Sequence, residues 1–267
     1  MANPAFTNNP AFNGKGVPAI PTPSADQLQQ QFDLPSAPDP AAGAPMTVDG
    51  TVRTSLGTFG VLLVGAAIGW ITVSLVPLLW IGAAIVGFVL ALVNIFKKEP
   101  SPALILSYAG VQGVFLGGIS AFYESMWPGI VSQAVLATFV VVGVTLALFA
   151  SGKVRASARA TKVFLIAMVG YLAFSLVNVG LMVFGVTTDP WGLRTGVEIF
   201  GIPLGVILGV FAVLLGAYSL VLDFDFIQKG TQNRIPRKYQ WTGAFGIMVT
   251  IIWLYLEILR LIAILRR

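Results

Sequence analysis

The sequence contains neither cysteine nor histidine. Disulfides, thiolate nucleophiles, serine–histidine triads and zinc or haem sites built on these ligands are therefore excluded. A metal ion handled by this chain has to be held by oxygen atoms, which favours hard cations such as calcium or magnesium. Because cysteine and histidine are missing, the sequence indicates that the protein is not an enzyme and carries no cofactor.

Charge is also scarce, because charged residues make up only 10% of the 267 residues whereas 56% are hydrophobic. Soluble domains usually carry about 25% charged residues. The apolar residues form segments long enough to cross a bilayer of about 30 Å, and they lack the alternation typical of transmembrane barrels. The sequence therefore predicts an all-α integral membrane protein with seven transmembrane helices near 53–74, 76–96, 102–123, 130–151, 161–185, 200–227 and 242–265.

The region before the first apolar segment has a different composition. Residues 1–50 are rich in Pro, Ala, Asn, Gln and Ser, and they contain the tetrapeptide NPAF twice. Such a segment does not bury enough apolar surface to fold alone. We expect a disordered cytoplasmic tail at 1–50 and a seven-helix transmembrane domain at 51–267. The NPAF repeat is read either as low complexity or as a short motif that docks a phenylalanine into a partner.

The lysines and arginines predict the orientation in the membrane. If the N-terminus is cytoplasmic, basic clusters at 97–98, 153–162 and 229–238 all face the cytoplasm, while Arg194 and the two C-terminal arginines lie outside. Basic connections mark the cytoplasmic side. The net charge of +5 is thus explained by topology, and we expect a multi-pass plasma-membrane protein that does not bind nucleic acid.

Two further patterns concern helix packing. Glycines recur every four residues at Gly65 and Gly69, at Gly113 and Gly117, and in the series 201, 205 and 209. Small residues at this spacing let two helices approach closely in lipid. Pro203 is expected to kink or shorten the outer end of the sixth segment.

Three acidic residues lie within apolar segments, namely Asp223, Asp225 and Glu257. Each costs a few kcal/mol on insertion scales, so an ionisable group at membrane depth is a candidate functional residue. Two structural alternatives stay open. The aspartates near Lys229 are solvated at the headgroups on one view, and Glu257 pairs with Arg260 three positions later on the other.

Helical geometry separates the two aspartates, because two positions correspond to about 200° of rotation. Only one of them can face a given neighbour. If Asp225 meets Glu257 across helices six and seven, the two carboxylates share a proton and titrate as one unit. Such a pair is a proton-controlled latch and a cation site. It requires residues 236–247 to be interfacial or a cytoplasmic extension, with insertion near Gly246.

Three stretches carry a resemblance to a known family: YSLVLDFDFIQ at 218–228, WLYLEILRLIAIL at 253–265 and SYAGVQGVFLGGISAFYE at 107–124. Together they resemble helices six, seven and three of the transmembrane Bax inhibitor motif family, in its bacterial and specifically actinobacterial branch. The resemblance implies a six-helix bundle around a central seventh helix. It also implies a calcium leak that responds to pH.

The resemblance assigns roles to individual residues. Asp225 corresponds to the gating carboxylate on helix six, and Glu257 to the one on helix seven, where relatives commonly have aspartate. Lys97 or Lys98 corresponds to a basic residue after helix two that supports the closed state, although relatives usually have arginine there. Asp223 is an additional acid, because relatives usually have an apolar residue at its position.

These observations lead to two functional expectations. The first is a calcium-permeable leak channel or transporter in which Asp225 and Glu257 form the gate and hold calcium, protonation favours closure, and calcium is the transported ion. The second is an interaction protein that regulates a membrane protease or a stress or death pathway without ion flux. In both cases the lipid bilayer is the constant partner.

Overall fold

The computed structural model describes residues 24–25, 29, 44–76, 78–187, 189 and 191–266. Most of the predicted tail, with both NPAF motifs, lies outside the described residues. Its disorder therefore stays a prediction.

The described residues form seven long helices and a two-stranded hairpin. Each of the seven helices is long and apolar enough to cross a membrane, which confirms the predicted all-α membrane architecture. The helices are α1 (Val48–Thr72), α2 (Leu79–Phe96), α3 (Pro102–Met126), α4 (Ile130–Ala150), α5 (Ala158–Val183), α6 (Leu204–Gln232) and α7 (Gln240–Leu265). A helical turn (Leu193–Gly196) and the antiparallel strands β1 (Glu198–Ile199) and β2 (Ile202–Pro203) connect α5 to α6, and a 3₁₀ turn (Arg237–Tyr239) precedes α7.

Local sequence explains where several helices begin. The side chain of Thr47 caps α1 by accepting a hydrogen bond from the Gly50 amide at 3.0 Å, so α1 begins five residues before the predicted segment. Ser157 caps α5 in the same way. Pro203 lies in β2, and α6 begins directly after it. The prediction that this proline shortens the outer end of helix six is therefore confirmed.

Glycines bring α1 and α3 into close contact. A Cβ atom at Gly65 or Gly69 would collide with the backbone of α3, and one at Gly113 or Gly117 would collide with the backbone of α1. Absent side chains let the two backbones touch, as predicted. The third series is divided differently, because Gly201 has a φ of 76° at the tip of the hairpin whereas Gly205 and Gly209 pack on α7.

Helix α7 is the most buried of the seven and packs against α6, α1, α4 and α3. Helix α2 packs mainly on α3, and α5 packs mainly on α6. One core cluster joins α1, α3 and α7 around Met248, and another joins α3, α4 and α7 around Leu259. A polar side chain on α7 is therefore held at a fixed position in the bundle.

We call the end of the bundle that carries the basic connections the inner end. There the amide of Met46 donates to the carbonyl of Ile235 at 2.7 Å, and the Met46 side chain is buried. Across the same end, Lys238 Nζ lies 2.6 Å from Glu99 Oε1, and this hydrogen bond lowers the pKa of the Glu99 carboxyl. These contacts tie the connection before α7 to α1 and to the α2–α3 loop.

Candidate functional site

The two aspartates of the LVLDFDFIQ stretch lie on different faces of α6. Asp223 lines a cavity that α6 forms with α2, α3 and α7, whereas Asp225 lines a cavity on the side of α5. The rotation of about 200° between positions two residues apart produces this division. The sequence-based expectation that only one of the two faces a given neighbour is confirmed.

Asp223 is the aspartate that faces α7. The Thr250 hydroxyl donates to Asp223 Oδ2 at 2.7 Å, and the hydroxyls of Ser219 and Thr250 are 3.3 Å apart. Asp223 Oδ1 lies where a Cβ atom would project from Gly246, so the glycine makes room for the carboxylate. One carboxylate and two hydroxyl groups therefore form a small oxygen-rich patch between α6 and α7.

The cavity beside Asp223 has a volume of about 440 Å³. Lys97 and Lys98 line it just beyond the inner end of α2, together with polar side chains from α2 and from the start of α7. Asp223 lies about 13 Å from the inner end of α6, at 1.5 Å per residue. The cavity thus links two lysines at the inner end to a carboxylate deeper in the bundle, and its polar lining comprises Asn94, Lys97, Lys98, Asp223, Tyr239 and Thr242.

Asp225 forms an ion pair with a neighbour on its own helix. Lys229 Nζ lies 2.7 Å from Asp225 Oδ2, and the two side chains are 64% and 18% exposed. The sequence left open that both aspartates are solvated at the headgroups near Lys229. Asp225 does lie beside Lys229 but is mostly shielded, and Asp223 instead accepts a hydrogen bond from α7. Within the described part of the chain Asp225 forms no hydrogen bond or ion pair with α7, and its face of α6 is turned towards α5.

Glu257 is buried in the outer half of the bundle and is also paired. Arg260 Nη1 donates to both carboxylate oxygens, at 3.0 and 3.1 Å, and the Trp253 indole donates to Oε1 at 3.2 Å. The Glu257 side chain is only 4% exposed. The intrahelical pair with Arg260, which the sequence offered as the structural alternative, is thus the observed arrangement.

A buried arginine, Arg194, extends this cluster. Arg194 donates through Nη2 to the Tyr171 hydroxyl and to Ser175, both at 3.1 Å, and the same tyrosine accepts from Arg260 at 3.3 Å. The Arg194 guanidinium also lies over the rings of Tyr171 and Phe174. Sequence reasoning placed Arg194 in an outer loop, and no local pattern indicated that this loop folds back against α5.

The predicted contact between Asp225 and Glu257 does not form. Asp225 lies about 10 Å from the inner end of α6, whereas Glu257 lies about 26 Å from the inner end of α7. The packing of Gly216 on Leu254 fixes this antiparallel register. Helix α7 is continuous from Gln240, so the chain between the acids does not shift Glu257 down to the level of Asp225.

The remaining predicted site residues are Lys97 and Lys98. The structure brings them to the same cavity as Asp223, although neither forms an ion pair with an acid within the described part of the chain. Among the residues that the structure describes, no three acidic side chains converge to hold a metal ion. The groups that share one cavity are therefore Asp223 and the two lysines, while Asp225 and Glu257 lie elsewhere.

Comparison with known families gives a match along almost the whole chain. The family model described as Bax inhibitor 1 like matches residues 3–267. The chain belongs to this Bax inhibitor 1-like family. The family assignment made from the three sequence stretches is therefore confirmed, and it agrees with the seven helices. No curated protein matches the chain in a separate sequence comparison.

Proposed function

We propose that the protein is a pH-sensitive, calcium-permeable leak pathway in which Asp223 is the gating carboxylate. The observation that supports this proposal best is the position of Asp223, which lies within a membrane-spanning helix and lines a cavity near the inner end of the bundle. A carboxylate at membrane depth is costly and faces ion pathways when it occurs. Membership of the Bax inhibitor 1-like family supports the membrane setting.

The lining of the cavity suits a cation that enters and leaves. Calcium prefers oxygen ligands, and Asp223 supplies a carboxylate next to the hydroxyls of Thr250 and Ser219. One carboxylate attracts a divalent ion without enclosing it, and conduction requires binding weak enough for release. Lys97 and Lys98 place positive charge between this acid and the inner solution, so their side chains set the barrier for cation entry.

Protonation provides the pH dependence. A neutral Asp223 no longer attracts a cation, and its carboxyl gains an O–H donor while it keeps an acceptor oxygen for the Thr250 hydroxyl. The charged and titratable groups that share its cavity are Lys97, Lys98 and Tyr239, and α7 contributes Thr250 and Gly246 beside it. We therefore expect flux to rise as pH increases and Asp223 loses its proton.

Glu257 has a different part in this proposal. Because Arg260 neutralises it and Trp253 fixes its orientation, Glu257 stabilises the outer half of the bundle and does not gate the pathway. Asp225 likewise stays with Lys229 on the face turned towards α5. This assignment keeps the expected calcium leak and moves the gating acid from Asp225 to Asp223.

We place the protein in the plasma membrane of a bacterium with its inner end in the cytoplasm. The basic residues of the α4–α5 connection and of the segment between α6 and α7 support this orientation, because basic connections mark the cytoplasmic side. In this orientation the cavity beside Asp223 opens towards the cytoplasm, and calcium leaves the pathway through this opening.

The competing function is an interaction protein that regulates a membrane protease or a stress or death pathway. In that case the acids only hold the bundle together, and the purified protein carries no ions. The test is calcium flux into liposomes that contain this protein alone, measured between pH 5 and pH 8. We expect flux that increases with pH. Flux no greater than in protein-free liposomes, with the protein correctly inserted, would instead favour the interaction protein.

A further inference from the structure

A second cavity lies at the inner end of the groove between α5 and α6. Its volume is about 600 Å³. The start of α5 contributes Ser157, Thr161 and Lys162, and α6 contributes Asp225 and Lys229. The gating proposal does not use this cavity, because α6 separates it from the cavity beside Asp223.

The lining changes from polar to apolar along the bundle axis. The hydroxyl and lysine side chains are at the inner end, whereas Leu165, Ile166 and Leu222 line the part nearer the middle of the membrane. Leu165 and Ile166 are more than half exposed, so this wall is open to lipid. From Ser157 to Ile166 the wall rises about 14 Å at 1.5 Å per residue. That height covers the headgroup region and the first part of the acyl chains.

The charges of the cavity favour an anion. Lys229 pairs with the one carboxylate of the lining, Asp225, so Lys162 leaves the lining with one net positive charge. Arg155 adds positive charge on the same inner surface, where it donates to Gln228 Oε1 at 2.6 Å. Basic pockets between transmembrane helices on the cytoplasmic side bind anionic lipid headgroups. A phosphate in this position contacts the lysines, while Asp225, whose Oδ2 pairs with Lys229, keeps Oδ1 as an acceptor.

We propose that this cavity, which we call the α5–α6 lipid site, binds an anionic glycerophospholipid with a hydroxylated headgroup. The phosphate lies between Lys162 and Lys229, and a headgroup hydroxyl donates to the Asp225 carboxylate. The acyl chains lie along Leu165, Ile166 and Leu222. The apolar wall selects a lipid over a soluble phosphate, and the two lysines select an anionic lipid over a zwitterionic one.

The test is native mass spectrometry of the purified full-length protein with phosphatidylglycerol and phosphatidylcholine of identical acyl chains in competition. We expect the wild-type protein to retain phosphatidylglycerol preferentially. Lys162→Gln should reduce this preference about fivefold, because one lysine near an anionic lipid contributes roughly that factor, and Lys162→Gln/Lys229→Gln should reduce it further. The control Lys153→Gln/Arg159→Gln removes the same charge from the same end without altering the lining, so its preference should remain close to that of the wild type.

Several outcomes would overturn the site. An equal loss in the control and in Lys162→Gln/Lys229→Gln would show general surface charge, and a wild-type protein with no preference would show no anionic site at all. Displacement of the lipid by glycerol phosphate at the same concentration would show that the ligand is a soluble phosphate.

The headgroup contact has its own test. Asp225→Asn should weaken the binding of phosphatidylglycerol relative to that of phosphatidic acid, which has no headgroup hydroxyl. An unchanged ratio would refute that contact.

Discussion

Removing Arg260 should destabilise the protein more than removing Glu257, although the two residues form one ion pair. Arg260→Met leaves the Glu257 carboxylate, whose side chain is 4% exposed, with the Trp253 indole as its one remaining described partner. An uncompensated buried charge costs about 3–5 kcal/mol. Glu257→Gln leaves the guanidinium bonded to Tyr171 and 29% exposed, so we expect a loss of only about 1–3 kcal/mol.

The assay is reversible unfolding in mixed micelles with increasing denaturing detergent, followed by helical circular dichroism. Arg260→Met combined with Glu257→Gln should be more stable than Arg260→Met alone, since the second substitution removes the stranded charge. Lys229→Gln is the matched control, because Lys229 is 64% exposed and ion pairs of exposed lysines contribute about 0–1 kcal/mol. If Arg260→Met costs no more than Glu257→Gln, or if the two losses simply add, then Arg260 does not compensate a buried charge on Glu257.

Three other predictions use different parts of the molecule. Gly113→Ala should lower the free energy of unfolding by about 1–3 kcal/mol, because its methyl group meets the α1 backbone at Leu62. The control Gly110→Ala fits against Val61 and should leave stability unchanged. Equal unfolding midpoints for the two variants would disprove the close packing. In intact cells an impermeant thiol reagent should label Ser125→Cys and leave Ser157→Cys unlabelled. Because the chain has no native cysteine, any labelling comes from the introduced residue. The reverse pattern would show that the orientation is inverted. Deleting residues 1–43 removes no apolar segment and no intramembrane charge, so calcium flux in liposomes should persist. A truncated protein that folds but carries no calcium would favour the interaction protein.

The seven helices were predictable because each is a long, nearly uncharged segment, and membrane length and hydropathy depend on composition alone. Helix ends marked by Thr47, Ser157 and Pro203 also follow from local chemistry. The division of Asp223 and Asp225 between two faces follows from helical rotation. These features need no knowledge of which helices touch.

The contact between α6 and α7 was not predictable in the same way. Its register depends on how residues 233–239 turn and on the close packing of glycines such as Gly216 against Leu254, which are long-range properties. The predicted meeting of Asp225 and Glu257 was wrong for this reason. Arg194 was missed because the fold of the α5–α6 connection, and not a local motif, brings its guanidinium to Tyr171.

If Asp223 gates a calcium leak, its substitution changes the pH dependence of flux. Calcium flux through the wild-type protein, Asp223→Asn, Asp225→Asn and Glu257→Gln should be compared in liposomes from pH 5 to pH 8, with each variant shown to be folded. We expect Asp223→Asn to lose most of the rise in flux with pH, while Asp225→Asn and Glu257→Gln retain it. A normal pH response in Asp223→Asn would show that Asp223 is not the gate; its loss in Asp225→Asn would place the gate on the other face of α6, and its loss in Glu257→Gln would place it on α7.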